Sequence, residues 1–197
     1  MRKYIAVFSL VLASALHVAA QKSEIGFLAG GKITPDGTSP IGTTKVNTAF
    51  SFEVNYATTL ISGEAAGVEI NIPLIAVPTS QTNSSNLLEA KSYSSIYVTP
   101  GIRVRLGRTF GPWVEGGAGI VRFGPSSTNL AGGPTTATST TKAAYSVAGG
   151  LDLRPAHSPF GFRFEAREFY TGVPNLAVPR LNLHNNVLLG GGIVLRF

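Results

Sequence analysis

The chain has 197 residues, 44% of them hydrophobic and only 13% charged, with 23 glycines, 12 prolines, no cysteine and a formal net charge of +6. That composition excludes a disordered tail and a coiled coil, fits one ordinary domain, and is too mildly basic to be a nucleic-acid signature. Without cysteine there is no disulfide framework, thiolate metal site, cysteine nucleophile or lipid-bearing cysteine.

The chain opens on Met1-Arg2-Lys3, runs apolar from Tyr4 to Leu16 with only Ser9 and Ser14 interrupting, and places Val18-Ala19-Ala20 before polar Gln21-Lys22. This is the pattern of a secretory signal peptide, 1–20, cut after Ala20. The run is shorter than the roughly 20 apolar residues a spanning helix needs. The mature domain is then 21–197, with 14 basic and 10 acidic residues and a net charge of +4. Beyond the leader every apolar stretch is interrupted by glycine, proline or charge within a few residues, so no membrane helix is expected. A soluble secreted barrel and a membrane barrel remain.

The mature sequence alternates with period two, the spacing that puts successive side chains on opposite faces of a strand. Eight such segments follow in order: 24–31, 50–56, 66–72, 96–106, 113–123, 145–154, 160–167 and 186–197. The clearest is Phe160-Gly161-Phe162-Arg163-Phe164-Glu165-Ala166-Arg167, with three phenylalanines on one face and the charges on the other. A helix would smear both sets around its circumference. In 96–106, Ile96, Val98, Ile102, Val104 and Leu106 oppose Tyr97, Thr99, Arg103 and Arg105, and Pro100, which lacks a ladder donor, marks a local irregularity. Long polar connections (32–47, 73–93, 124–141 and 171–185) alternate with short ones (57–64, 107–111 and 155–159), so all long loops leave one end of an up-and-down meander.

Charge decides which face is inside. Glu24, Glu53, Glu69, Glu115, Asp152 and Glu165 share the polar phase with Arg103, Arg105, Arg154, Arg163, Arg167 and Arg196. Inside a membrane barrel these twelve groups can pair, whereas a shift of one residue would turn them to lipid at about 2–4 kcal/mol per arginine or lysine. A lipocalin-like cup would put the charges in water, but it gives no reason for the glycines of the same phase: Gly26, Gly30, Gly67, Gly101, Gly117, Gly119, Gly150 and Gly161. Small residues leave room for long arginines in a narrow barrel. The expected fold is therefore all-β, an eight-stranded antiparallel up-and-down transmembrane β-barrel.

The last residues, Gly190-Gly191-Gly192-Ile193-Val194-Leu195-Arg196-Phe197, resemble the C-terminal assembly signal of bacterial outer-membrane proteins at Gly192, Leu195 and Phe197, and depart from it at Gly190, where a polar residue is usual. Together with the leader and eight strands, the mature chain resembles, as a pattern over nearly all of 21–197, the small barrel family of OmpX and the transmembrane domain of OmpA. The resemblance implies a bacterial outer-membrane location, lipid surroundings and delivery by the barrel-assembly machinery through the C-terminal strand. OmpA-type proteins also carry a peptidoglycan-binding domain, which has no counterpart in these residues.

Catalytic patterns are sparse. His17 belongs to the leader, His157 to the turn at 155–159 and His184 to the last long loop, none with an accompanying acid and nucleophile spacing. Lipid A-modifying barrels resemble this architecture and use serine with histidine near the external rim, but no His-x-Ser pair lies on a strand here. Gly116-Gly117-Ala118-Gly119 and Gly190-Gly191-Gly192 lack the spacing of phosphate-binding loops, and the dispersed acids lack that of a metal site. No enzyme, cofactor or metal is expected. The twelve interior charges read as a packed polar core, since eight strands leave an interior just wide enough for side chains, with an ion-selecting lumen as the competing reading. The expected role is structural or interactive, with four external loops displayed to a surface partner; a narrow solute channel is second and a lipid A-modifying enzyme third. Leu176-Ala177-Val178-Pro179-Arg180-Leu181 is unusually apolar for a loop tip and suits a loop core.

Overall fold

The computed structural model describes residues 23–39, 42–63, 65–85, 87–107, 110–155, 158–176 and 185–197. The expected leader, 1–20, lies outside them. The strands are β1 (Ser23–Ile33), β2 (Gly37–Ser39), β3 (Gly42–Val46), β4 (Ala49–Ser62), β5 (Ala66–Ser84), β6 (Ser92–Val98), β7 (Gly101–Leu106), β8 (Phe110–Pro125), β9 (Thr140–Leu153), β10 (Phe160–Thr171) and β11 (Asn185–Arg196). With β6 and β7 counted as one interrupted strand, eight staves run β1, β4, β5, β6/β7, β8, β9, β10, β11, each antiparallel to the next, and β11 returns to β1. Each terminal residue of the ring donates to the other: Ser23 N to Phe197 O and Phe197 N to Ser23 O, both at 3.0 Å. Closure leaves no strand edge unpaired around the wall.

The strands outrun the sequence reading at the long-loop end. Residues 73–84, expected as loop, continue β5, and β2 and β3 form a hairpin inside the first long connection that pairs with the tip of β5 at Val46 and Thr82. Pro73 does not stop β5 because it sits in a gap of the ladder. Asn71 pairs with Gly101 of β7 and Leu74 with Val98 of β6, so Pro73 lies opposite the break that contains Pro100. The missing N–H of Pro73 then costs no hydrogen bond; the irregularity expected at Pro100 is this break, across which the Pro100 carbonyl still accepts from Ala118 N at 3.0 Å.

Alternation sets the two faces. Along β10, Phe160, Phe162 and Phe164 are 55–57% exposed while Arg163, Glu165 and Arg167 are at most 5% exposed. The same holds around the wall, where Phe27, Phe52, Leu74, Ile96, Val114 and Val147 face outward. An apolar wall around buried arginines inverts the pattern of a soluble barrel, and hydrocarbon is the solvent that suits it.

The interior is not polar throughout. The half beside the short turns carries the charges. The half beside the long loops is an apolar plug of Ile75, Val77, Tyr93, Tyr97, Val121, Phe123, Phe169 and Leu188. Tyr97 stacks on Phe169 at 4.3 Å between ring centroids, and Phe123 meets Tyr93 and Tyr97 edge-on at 6.0 and 6.4 Å. Leu176 caps the plug, fully buried, and its carbonyl accepts from Ala90 N at 3.0 Å. The first residue of the apolar loop segment is thus a loop core; 177–184 lie outside the described residues.

Candidate functional site

Register brings the charged residues together. Glu24 on β1 stands beside Arg196 on β11, Glu69 on β5 beside Arg103 on β7, Arg103 beside Glu115 on β8, and Asp152 on β9 beside Arg163 on β10. Cross-strand neighbours of this kind lie within reach of a direct ion pair.

Around Glu24 the pairing is many-to-one. Its Oε1 accepts from Arg163 Nη2 at 2.6 Å and Arg103 Nη1 at 3.0 Å, and its Oε2 from Arg154 Nη2 at 3.1 Å. Arg105 Nη2 and Arg196 Nε approach Oε2 at 3.6 and 3.8 Å. Asp152 grips Arg163 through a fork, accepting from Nε and Nη2 at 2.7 Å each, and also pairs with Arg154. Glu69 pairs with Arg105. Five guanidinium groups thus share three carboxylates at this end. Deeper in, two guanidinium groups face three carboxylates: Arg167 reaches Glu115 and Glu165 at 2.7 Å and Glu53 at 3.9 Å, and Arg103 reaches Glu115 through Nη2 and Nε at 3.0 and 3.1 Å.

Neutral residues of the same phase complete the packing; of these the sequence reading singles out only Thr99 and Gly150. Asn71 donates to Glu115 at 2.8 Å, Asn55 to Glu53 at 2.9 Å, and Ser146 to Thr99 at 3.2 Å. Trp113 lies under Arg103 and Arg163, 4.4 and 5.3 Å from its ring, and donates Nε1–H to Asp152 at 3.1 Å. Guanidinium planes over an indole combine cation–π attraction with the burial that a dry interior requires. Gly150 makes room for that ring: a Cβ there would stand 2.5 Å from the indole. Nearer the loops Lys32, 1% exposed, donates to Tyr93 Oη at 3.4 Å and lies 4.8 Å from its ring centroid. The signal for all of these was parity with the arginines.

Each of the twelve charged residues singled out from sequence faces inward. Arg103, Arg163 and Arg167 are at most 1% exposed, whereas the Arg196 side chain, at the rim, keeps 35% exposure. Gly192 lies between Leu28 and Arg163 of the flanking strands, where a Cβ would stand 2.0 Å from Phe27 O, and Leu195 and Phe197 face outward. His157 and His184 lie outside the described residues. Among the described residues no group of three metal-type ligands converges.

At the short-turn end the ring opens into a vestibule of about 500 Å³, lined by Glu24, Glu69, Arg105, Arg154 and Arg196 together with Ser62 at the end of β4 and the turn residues Gly63 and Gly107. Above it the charged layer and then the apolar plug fill the bore.

No family model and no curated protein matches the chain. Solved structures do. Neisserial surface protein A superposes with a TM-score of 0.56 at 12% identity, covering 89% of this chain and 97% of that one. The outer membrane protein OprG from Pseudomonas aeruginosa gives 0.54 at 14% identity over 90% and 96%. The outer membrane enzyme PagL superposes more loosely, at 0.47 and 11% identity over 87% and 98%. At such identities the likeness is one of fold, and with the closed ring and inverted faces it gives the architecture: this chain has the fold of the small eight-stranded outer-membrane barrels.

Proposed function

We propose that this protein is a non-enzymatic component of a Gram-negative outer membrane, a closed barrel that holds its long loops at the cell surface for a partner. The observation that carries the reading is the filled bore. Buried ion pairs occupy one half and stacked aromatic rings the other, while on the loop side β5 runs on to Ser84 and pairs with the β2–β3 hairpin. In this reading residues 1–20 direct export and are removed after Ala20, the short turns face the periplasm, and Gly192, Leu195 and Phe197 address the chain to the barrel-assembly machinery. The twelve interior charges are packing elements that fix register.

Planar-bilayer recording tests the closed bore: purified protein reconstituted at many copies per membrane is expected to give no sustained unitary current. Reproducible unitary currents that change on substituting Arg163 or Arg167 would favour the channel reading instead. The absence of catalysis has its own check, since lipid A incubated with the purified protein should return with unchanged mass. Loss of an acyl chain with wild type but not with His184→Ala would establish an enzyme.

A further inference from the structure

We infer that the vestibule at the short-turn end is a binding site for a small soluble oxyanion of the phosphate or sulfate class. The first reason is an axial separation of charge. The twelve interior groups balance as six acids and six arginines, yet they are not mixed evenly along the bore. Arg105, Arg154, Arg163 and Arg196 gather around Glu24, Glu69 and Asp152, Arg103 bridges Glu24 and Glu115, and Arg167 faces Glu53, Glu115 and Glu165. The positive excess lies at the mouth, beside water, where a mobile anion can reach it, and the negative excess is sealed inside. A buried charge without a counter-charge is expensive, so the mouth gains from an anion that the interior cannot supply.

The second reason is unused donors. Nε of Arg154 and Nη2 of Arg196 are buried in the vestibule wall with no hydrogen-bond acceptor, and Arg105 Nε has only Asp152 at 3.8 Å. Both Glu24 oxygens already accept from arginines, and Glu69 is paired with Arg105, its Oε2 keeping only Arg103 at 3.8 Å. Guanidinium groups bind tetrahedral oxyanions through paired N–H bonds. The third reason is space, because about 500 Å³ accommodates such an ion with part of its water. The bore is closed above, so the site is a blind pocket rather than a stage of permeation. The site does not depend on the display role proposed for the loops.

Nuclear magnetic resonance of the arginine Nε–H groups in the full folded protein, held in lipid nanodiscs, reads this directly. Sodium phosphate is titrated against sodium chloride at matched ionic strength. The resonances of Arg105, Arg154 and Arg196 should shift together and saturate in phosphate but not in chloride, while the Trp113 indole signal stays in place. Arg196→Gln should weaken the apparent affinity about tenfold through one lost charge-assisted contact. Ser62→Glu, which adds a negative charge at the vestibule lip, should weaken it about threefold and serves if the first variant does not fold. Linear or chloride-equivalent shifts would overturn the site. So would saturable shifts that neither substitution alters.

Discussion

Arg163→Met is the sharpest perturbation of the interior. The side chain is fully buried and makes two 2.7 Å bonds to Asp152, one of 2.6 Å to Glu24 and a longer one of 3.4 Å to Asn55. Each charge-assisted bond is worth about 1.5–3 kcal/mol, so the contacts alone suggest more than the variant should lose. Methionine also removes the arginine's own desolvation cost, Asp152 keeps Arg154 and the Trp113 N–H, and Glu24 keeps Arg103 and Arg154. The expected loss is therefore that of a broken buried pair with partial compensation, about 3–5 kcal/mol. Urea unfolding in lipid vesicles measures it, followed by fluorescence of Trp113, the only tryptophan, which reports from inside the cluster. Because the change touches the probe's surroundings, midpoint and slope must be confirmed by the mobility of unheated protein on gels. Asp152→Asn added to Arg163→Met should recover part of the loss, because it removes the charge left behind. A single variant within about 0.5 kcal/mol of wild type would refute the idea that these pairs secure the barrel.

Other outcomes follow from the same geometry. Phe162→Arg places a guanidinium on the outer wall and should cost about 2–4 kcal/mol in the same unfolding assay, with less folded protein recovered from vesicles. Gly150→Ala drives a methyl group into the Trp113 ring and toward Phe164 O, for an expected loss of about 1–3 kcal/mol. Gly116→Ala, with nothing within 4 Å of the new methyl, should stay within about 0.5 kcal/mol and acts as its control. Phe169→Ala removes half of the stacked pair in the plug and should cost about 3–5 kcal/mol by urea midpoint.

The strand count, the meander and the inward arginines were legible because period-two alternation records directly which side of the wall a residue occupies. Phe160 to Arg167 showed this without ambiguity. Pro73 misled because a proline ends a strand only where a partner needs its N–H, and the sequence does not display that β7 gives way to β6 at that point. The apolar plug was missed for a different reason. Tyr97, Phe123 and Phe169 keep the same parity as Arg103, Glu115 and Arg167, but the interior phase had been equated with charge. Parity fixes only the face, and the depth along the axis decides whether that face meets ions or rings. The sharing of Glu24 among five arginines was likewise invisible, since it depends on how closely the curved ring brings non-adjacent staves together.

The seam where β1 meets β11 carries a consequence for biogenesis. Glu24 and Arg196 are partners across it, yet they lie in the first and last strands of the ring. Without β11 the sheet keeps two raw edges, so the cylinder cannot close until both ends of the ring are present. Because Ser23 and Phe197 are hydrogen-bonded neighbours, a chain joined between them and reopened at one of the long loops is expected to keep the same wall, which heat-modifiable mobility on gels would check.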